Sequence, residues 1–340
     1  MLILQILFFG WYNTESKGDD PMKPIFLLMI IVGILLLLCL LTAYICFRMA
    51  FYVTIKERKR DRSFEIPPGK IYEPYRELML GWMREVRAMP HEDVYIRSCD
   101  GLTLHGQFFE YAPGAPIELM LHGYRGTAER DLCGGVQRAF ALGRSALIVD
   151  QRAAGKSGGQ VITFGIKESR DCRAWVDFMI GHFGPNVRII LTGISMGAAT
   201  VMITAGNPLP ANVIGVLADC GFSTARDIIK KEIRRKKLPA DVLYPFVRMG
   251  AILFGGFDPD ETSALEAMKT CRLPIIFFHG DRDKFVPCEM SKVCYEACKS
   301  KKHLHLVPGA GHGLAFPADQ DTYIRELREF FGPDASAKEN

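Results

Sequence analysis

Val187-Arg-Ile-Ile-Leu-Thr-Gly-Ile-Ser195-Met-Gly-Ala-Ala-Thr-Val-Met-Ile-Thr-Ala205 is the stretch whose reading decides the fold. It opens with a short β-branched apolar run, which reads as a buried strand. It closes with the small residues Gly197 to Ala205, which read as a helix lying close on a sheet. The join, Gly193-Ile-Ser195-Met-Gly197, matches the G-x-S-x-G nucleophile elbow. A serine on a strained strand-to-helix turn leaves no room for side chains two residues to either side, hence the two glycines. A helix starting there aims backbone N–H groups and its positive dipole end at an oxyanion forming beside the serine.

The pattern alone is weak, because Gly155-Lys-Ser157-Gly-Gly159 matches it too. The strand before Ser157, Ala146-Leu-Ile-Val-Asp150, ends several residues too early, and Gln160 to Gly165 is no helix start. Context selects Ser195 and leaves Ser157 to a Gly-rich loop.

Residues 25–47 carry no charge and, at about 1.5 Å per residue, reach past a hydrocarbon core of roughly 30 Å. They read as a transmembrane helix. The run is too long for a cleaved signal peptide, and no small-x-small site follows it. Arg48, Lys56, Arg58, Lys59, Arg60 and Arg62 come after it, against Lys17 and Lys23 before it. The positive-inside rule then puts the C-terminal side in the cytoplasm. A tail spans 1–24, and within it Met22-Lys23-Pro24 reads as a more natural start than Met1.

The remaining chain, about 275 residues, suits one α/β domain better than two. A net charge of +4 without an aromatic-interleaved basic stripe does not suggest a nucleic-acid partner, and none is expected. The ten cysteines are scattered, in a chain large enough to need no staples, and read as reduced thiols. After a basic juxtamembrane linker, Tyr75, Leu78, Met79, Trp82, Met83 and Val86 recur at helical spacing up to Pro90. That linker and helix occupy 48–90, and packing on the domain is favoured over lying on the bilayer.

From residue 91 to 332 a hairpin (94–98 and 102–111) leads into strands at 117–121, 146–150, 187–194, 213–218, 274–278 and 303–307. Helices at 129–142, 166–183, 288–299 and 319–331 alternate with them. This pattern predicts a mostly parallel sheet covered on both faces, led by an antiparallel hairpin. Residues 221–273 interrupt it with largely helical sequence, where a lid would sit, and 333–340 is a tail. The basic run Lys230, Lys231, Arg234, Arg235, Lys236 and Lys237 reads as a solvated helix face, with a lipid-headgroup contact as the second reading.

A serine needs a base to take its proton and an acid to orient that base. Downstream of Ser195, His279-Gly-Asp281-Arg-Asp283-Lys-Phe-Val-Pro287 and Gly309-Ala-Gly-His312-Gly313 both follow strands, at the carboxyl ends where open α/β sheets bind ligands. With His122-Gly-Tyr and Asp150-Gln-Arg these motifs run in order from about residue 92 to 331. The sequence resembles the α/β-hydrolase superfamily, most of all membrane-anchored bacterial members of esterase or serine peptidase type. The resemblance implies Ser195 as nucleophile, His312 as base and Asp283 as acid, with backbone N–H groups of Tyr124 and Met196 as the oxyanion hole. One departure is Ala153, where many relatives have glycine, so the local backbone is open to difference. Asp219 is the second choice of acid, and Asp281 reads as a turn stabiliser.

His122 and His279 precede glycines at strand ends and read as structural. His91, His105, His182, His303 and His305 sit in no motif. No pair has metal-ligand spacing, so neither metal nor other cofactor is expected, and Gly-Lys-Ser157 lacks the Gly-rich run of a phosphate loop. The expectation is a serine hydrolase acting on a small carboxylic ester through an acyl-enzyme. The alternatives are a peptidase releasing amino acids or dipeptides, and a silent membrane-tethered binding protein.

Overall fold

β-branched and aliphatic residues crowd the strands because both faces of this sheet are covered. The computed structural model describes residues 22–332; the expected N-terminal tail up to residue 21, the choice of start at Met1, and the tail 333–340 lie outside the described residues. One unit is the helical stretch ending at Thr42, and the second runs onward from Ala43. The helix itself is Met22–Ala50, and the span Pro24–Ala50 is long and apolar enough to cross a membrane.

Within the second unit, β1 (Glu92–Arg97), β2 (Thr103–Phe109), β3 (Ile117–Leu121), β4 (Ser145–Asp150), β5 (Ile189–Ile194), β6 (Val213–Asp219), β7 (Ile275–Gly280) and β8 (Lys302–Val307) form one sheet. Their order is β1-β2-β4-β3-β5-β6-β7-β8. The β1/β2 and β2/β4 pairs are antiparallel and the rest parallel. This is the α/β-hydrolase architecture. Strand β5 opens at Ile189 rather than Val187, because the Val187 N–H closes a turn on Gly184.

Alternation along β3 divides the core. Leu119 and Leu121 join the cluster containing helices Ile166–Phe183 and Met196–Ala205, while Met120 joins that of helices Arg76–Ala88, Ala128–Ala141 and Gln320–Phe331. Helix Arg76–Ala88 buries Met79, Trp82, Met83 and Val86. Its Trp82 stacks on Phe316 at 5.4 Å and lies against Gly134, where a Cβ would strike the ring. This is the packed arrangement. Glu118 is the exception within β3: fully buried, it accepts from Arg138 at 2.7 Å, Arg144 at 2.9 Å and Thr192 at 3.1 Å.

The ten cysteines are free thiols, seven of them buried and Cys99 exposed. Between β6 and β7 the chain forms helices Ala225–Arg235, Ala240–Gly250 and Ala264–Thr270, with a π-helical turn at Ala251–Gly255. Much of the basic run is spent locally. Lys230 and Arg234 pair with Asp241, and Arg235 pairs with Glu232. Lys231 donates to the carbonyls of Lys284 and Phe285.

Candidate active site

The turn from β5 into helix Met196–Ala205 holds Ser195 at φ 57°, ψ −115°, a conformation an L-residue adopts only under strain. Tight packing imposes it. A Cβ on Gly193 would strike the Gly197 carbonyl, and one on Gly197 would strike the Leu121 carbonyl of β3. The Ser195 N–H is tied to Asp219 O at 2.8 Å. The side chain is left at a sheet edge, 7% exposed.

Two later loops come to meet it. His312 Nε2 lies 2.9 Å from Ser195 Oγ, and its Nδ1 lies 2.6 Å from Asp283 Oδ2. The other oxygen of Asp283 accepts the N–H groups of Phe285 and Val286, each at 2.8 Å. Burial alone would raise the Asp283 carboxyl, but hydrogen bonds from His279 and His312 outweigh it and hold the group well below the usual carboxylate range. With Asp283 ionised, the His312 proton is held on Nδ1 and Nε2 is left to accept from the serine.

His279 turns out to matter more than its sequence position suggests. It is fully buried, with Nε2 2.8 Å from Val286 O and 3.3 Å from Asp283 Oδ2, and Nδ1 2.7 Å from Ser291 Oγ. It braces the acid. The signal in the sequence was its spacing, four residues before Asp283 where strand β7 runs out into the loop.

The other singled-out residues fall as follows. Asp219 is buried and accepts from Tyr323 Oη at 2.9 Å, and burial pushes its carboxyl up. It is not hydrogen-bonded to His312. Asp281 Oδ1 accepts the Gly309 N–H at 2.6 Å and so ties the two loops. Ser157 Oγ donates to Asp150 O and accepts the His105 N–H, in a loop away from Ser195. His122 is locked by its Nδ1 contact to Gly123 O and by the Gln151 N–H on Nε2. His105 sits buried between Asp93 and Asp150. Ala153 takes a left-handed backbone at φ 62°, a conformation that costs an alanine strain and a glycine little.

The Tyr124 and Met196 N–H groups make no hydrogen bond among the described residues; Met196 directly follows Ser195, and Tyr124 lines the same cavity as Ser195. Tyr124 is held by its side chain: its Oη donates to Ala50 O at 2.7 Å and accepts Arg125 Nε at 2.9 Å. Ser195 opens into a cavity of ≈ 350 Å³ walled by Phe164, Phe222, Ile229, Ile233, Val247 and Phe285. Its volume and apolar lining are those of a small-molecule site.

Comparison with known proteins agrees with this fold. Residues 228–321 match the family model described as serine hydrolase (FSH1). YqkD of Bacillus subtilis, described as uncharacterized, is 27% identical over 56% of this chain and 62% of its own length. The chain thus spans somewhat under two thirds of that relative. The bem46 protein of Schizosaccharomyces pombe is 24% identical over 66% of this chain and 71% of its own. Among solved structures, the Pyrococcus furiosus esterase PF2001 superposes with a TM-score of 0.60 at 25% identity, over 72% of this chain and 92% of that one. The chain thus has the α/β-hydrolase fold and is similar to serine hydrolases of that superfamily.

Proposed function

We propose that the protein is a membrane-anchored carboxylesterase using Ser195, His312 and Asp283. The observation that carries this is the hydrogen-bonded chain from Asp283 through His312 to Ser195 Oγ, opening into an apolar cavity. His312 Nε2 takes the Ser195 proton as Oγ bonds to the ester carbonyl carbon. The Tyr124 and Met196 N–H groups receive the resulting oxyanion. The carbonyl re-forms as the alkoxide leaves with the proton from His312. Water, deprotonated in turn by His312, then releases the acid and restores the serine.

Helix residues 25–47 form the anchor, and the basic residues after it hold the hydrolase domain (91–332) on the cytoplasmic side. Residues 221–273 act as the lid. The lining favours esters over aminoacyl amides. The walls are apolar apart from Glu232, Arg235 and Lys236, and Glu232 already has its Oε2 held by Arg235, with Oε1 its one free oxygen.

The test is kcat/KM along para-nitrophenyl esters of rising acyl length, beside aminoacyl and dipeptidyl amides. Each methylene reaching the wall gains up to about 0.8 kcal/mol, or roughly fourfold, until the cavity is full. Faster amides, or rates falling from acetate onward, would hand the site to the peptidase reading.

A further inference from the structure

The wall of the active-site cavity is not built by the lid alone. Cys46, Met49 and Ala50, from the last two turns of helix Met22–Ala50, line it together with Ser195. This end of the helix is part of the hydrolase unit. Phe47 and Phe51 are buried in its core, and Gly250 approaches so closely that a Cβ would strike the Ala43 carbonyl. Phe254 meets Tyr44 edge-on at 5.2 Å and Phe47 at 6.0 Å. The helix end and the segment 240–255 are one packed piece.

That piece presents apolar side chains where a water-facing lid has no use for them. Met49 is 60% exposed at the cavity, and Val242, Leu253 and Phe254 are 62%, 55% and 42% exposed. Exposed apolar side chains of this kind mark a membrane or partner contact, and here they sit on the same packed piece as the last residues of helix Met22–Ala50. The neighbouring cations are largely paired within the lid, as described above, so apolar contact rather than headgroup charge is what the surface offers. The Ala50 carbonyl also accepts from Tyr124 Oη, so the helix end holds the residue assigned to the oxyanion hole.

We propose that the substrate is a long-chain fatty-acyl ester of glycerol resident in the bilayer, its acyl chain entering beside Met49 and lying along Cys46, Met49 and Ala50. This rests on the esterase reading. Ser195 Oγ forms the acyl bond as the bond to the glycerol oxygen breaks, and that oxygen leaves with the proton from His312. Water then cleaves the acyl-enzyme to fatty acid. Val242, Leu253 and Phe254 sit in the interface and bring the cavity mouth to the lipid.

The experiment uses the full chain in phosphatidylcholine vesicles containing monooleoylglycerol, with para-nitrophenyl butyrate in water as the second substrate. Wild type hydrolyses both. Met49→Arg, and separately Leu253→Ser with Phe254→Ser, lower the ratio of vesicle to butyrate turnover by roughly tenfold, since a charge or lost apolar contact at the interface opposes lipid uptake. Because the readout is a ratio within each variant, partial misfolding cancels. Butyrate turnover without vesicle hydrolysis overturns the lipid substrate and leaves the esterase standing. An unchanged ratio in both variants overturns the entry route. Turnover of neither ester removes the inference and the esterase together.

Discussion

Asp283→Asn isolates the acid from every other part of the site. The carboxylate faces His312 Nδ1 across 2.6 Å, where an ion-pair attraction at an effective dielectric near 20 is roughly 6 kcal/mol. That attraction exists in full only when His312 is protonated, which is the transition state and not the resting enzyme. At 1.36 kcal/mol per decade it corresponds to a loss of about 10⁴ in kcat. Geometry reinforces the charge effect. The Phe285 and Val286 N–H groups keep the amide oxygen on their side, so the new NH₂ must face Nδ1. Nδ1 then has to accept, and Nε2 carries its proton toward Ser195 instead of receiving one. Asp219→Asn should cost less than about tenfold, because its carboxyl is already pushed toward the neutral form and answers to Tyr323. The assay is kcat on para-nitrophenyl butyrate with thermal melts on both variants. A folded Asp219→Asn enzyme slower than Asp283→Asn would refute the reasoning.

Gly197→Ala drives a Cβ into the backbone carbonyl of Leu121, which cannot move without β3, and should destabilise by about 3 kcal/mol or more; a melt equal to wild type would contradict that packing. Ser157→Ala removes two buried hydrogen bonds and should lose about 1–3 kcal/mol of stability while retaining most kcat; loss of kcat comparable to that of Ser195→Ala would return Ser157 to candidacy. Glu118→Gln removes the buried negative charge that faces Arg138 and Arg144 and should cost about 3–5 kcal/mol at pH 7. Burial opposes the Glu118 charge, but the two arginines prevail and hold its carboxyl below the usual value. Its stabilisation is therefore present above the unfolded value, near 4.3, and is lost as pH falls through the lower folded one. The gap between wild type and variant in urea melts should narrow below about pH 4; a gap constant with pH would contradict the assignment.

The sheet was legible because each strand is a short β-branched run bounded by turns, and the helices keep a 3.6-residue period to within a few residues of their observed ends. The meeting of Ser195, Asp283 and His312 was legible for a topological reason: all three follow parallel strands at the carboxyl edge. What stayed hidden depends on contacts distant in sequence. Hydropathy reads residues 25–47 as one membrane run and carries no sign that Phe47 and Phe51 enter the domain core, or that Cys46, Met49 and Ala50 line the cavity. The pairing of Glu118 with Arg138 and Arg144 has no local pattern either, because the partners lie on and after the next helix. The strain at Ala153 is likewise unreadable, since its left-handed backbone follows from the loop's closure on Gly158.

The central claim is that Ser195 is a nucleophile made reactive by His312, 2.9 Å away. The most direct test is labelling of the full-length protein with a fluorophosphonate, followed by mapping of the modified peptide. The account predicts stoichiometric modification of Ser195 in wild type and none in Ser195→Ala, with Ser157→Ala labelled like wild type. A label on Ser157, or an untouched Ser195 in a folded protein, would contradict it.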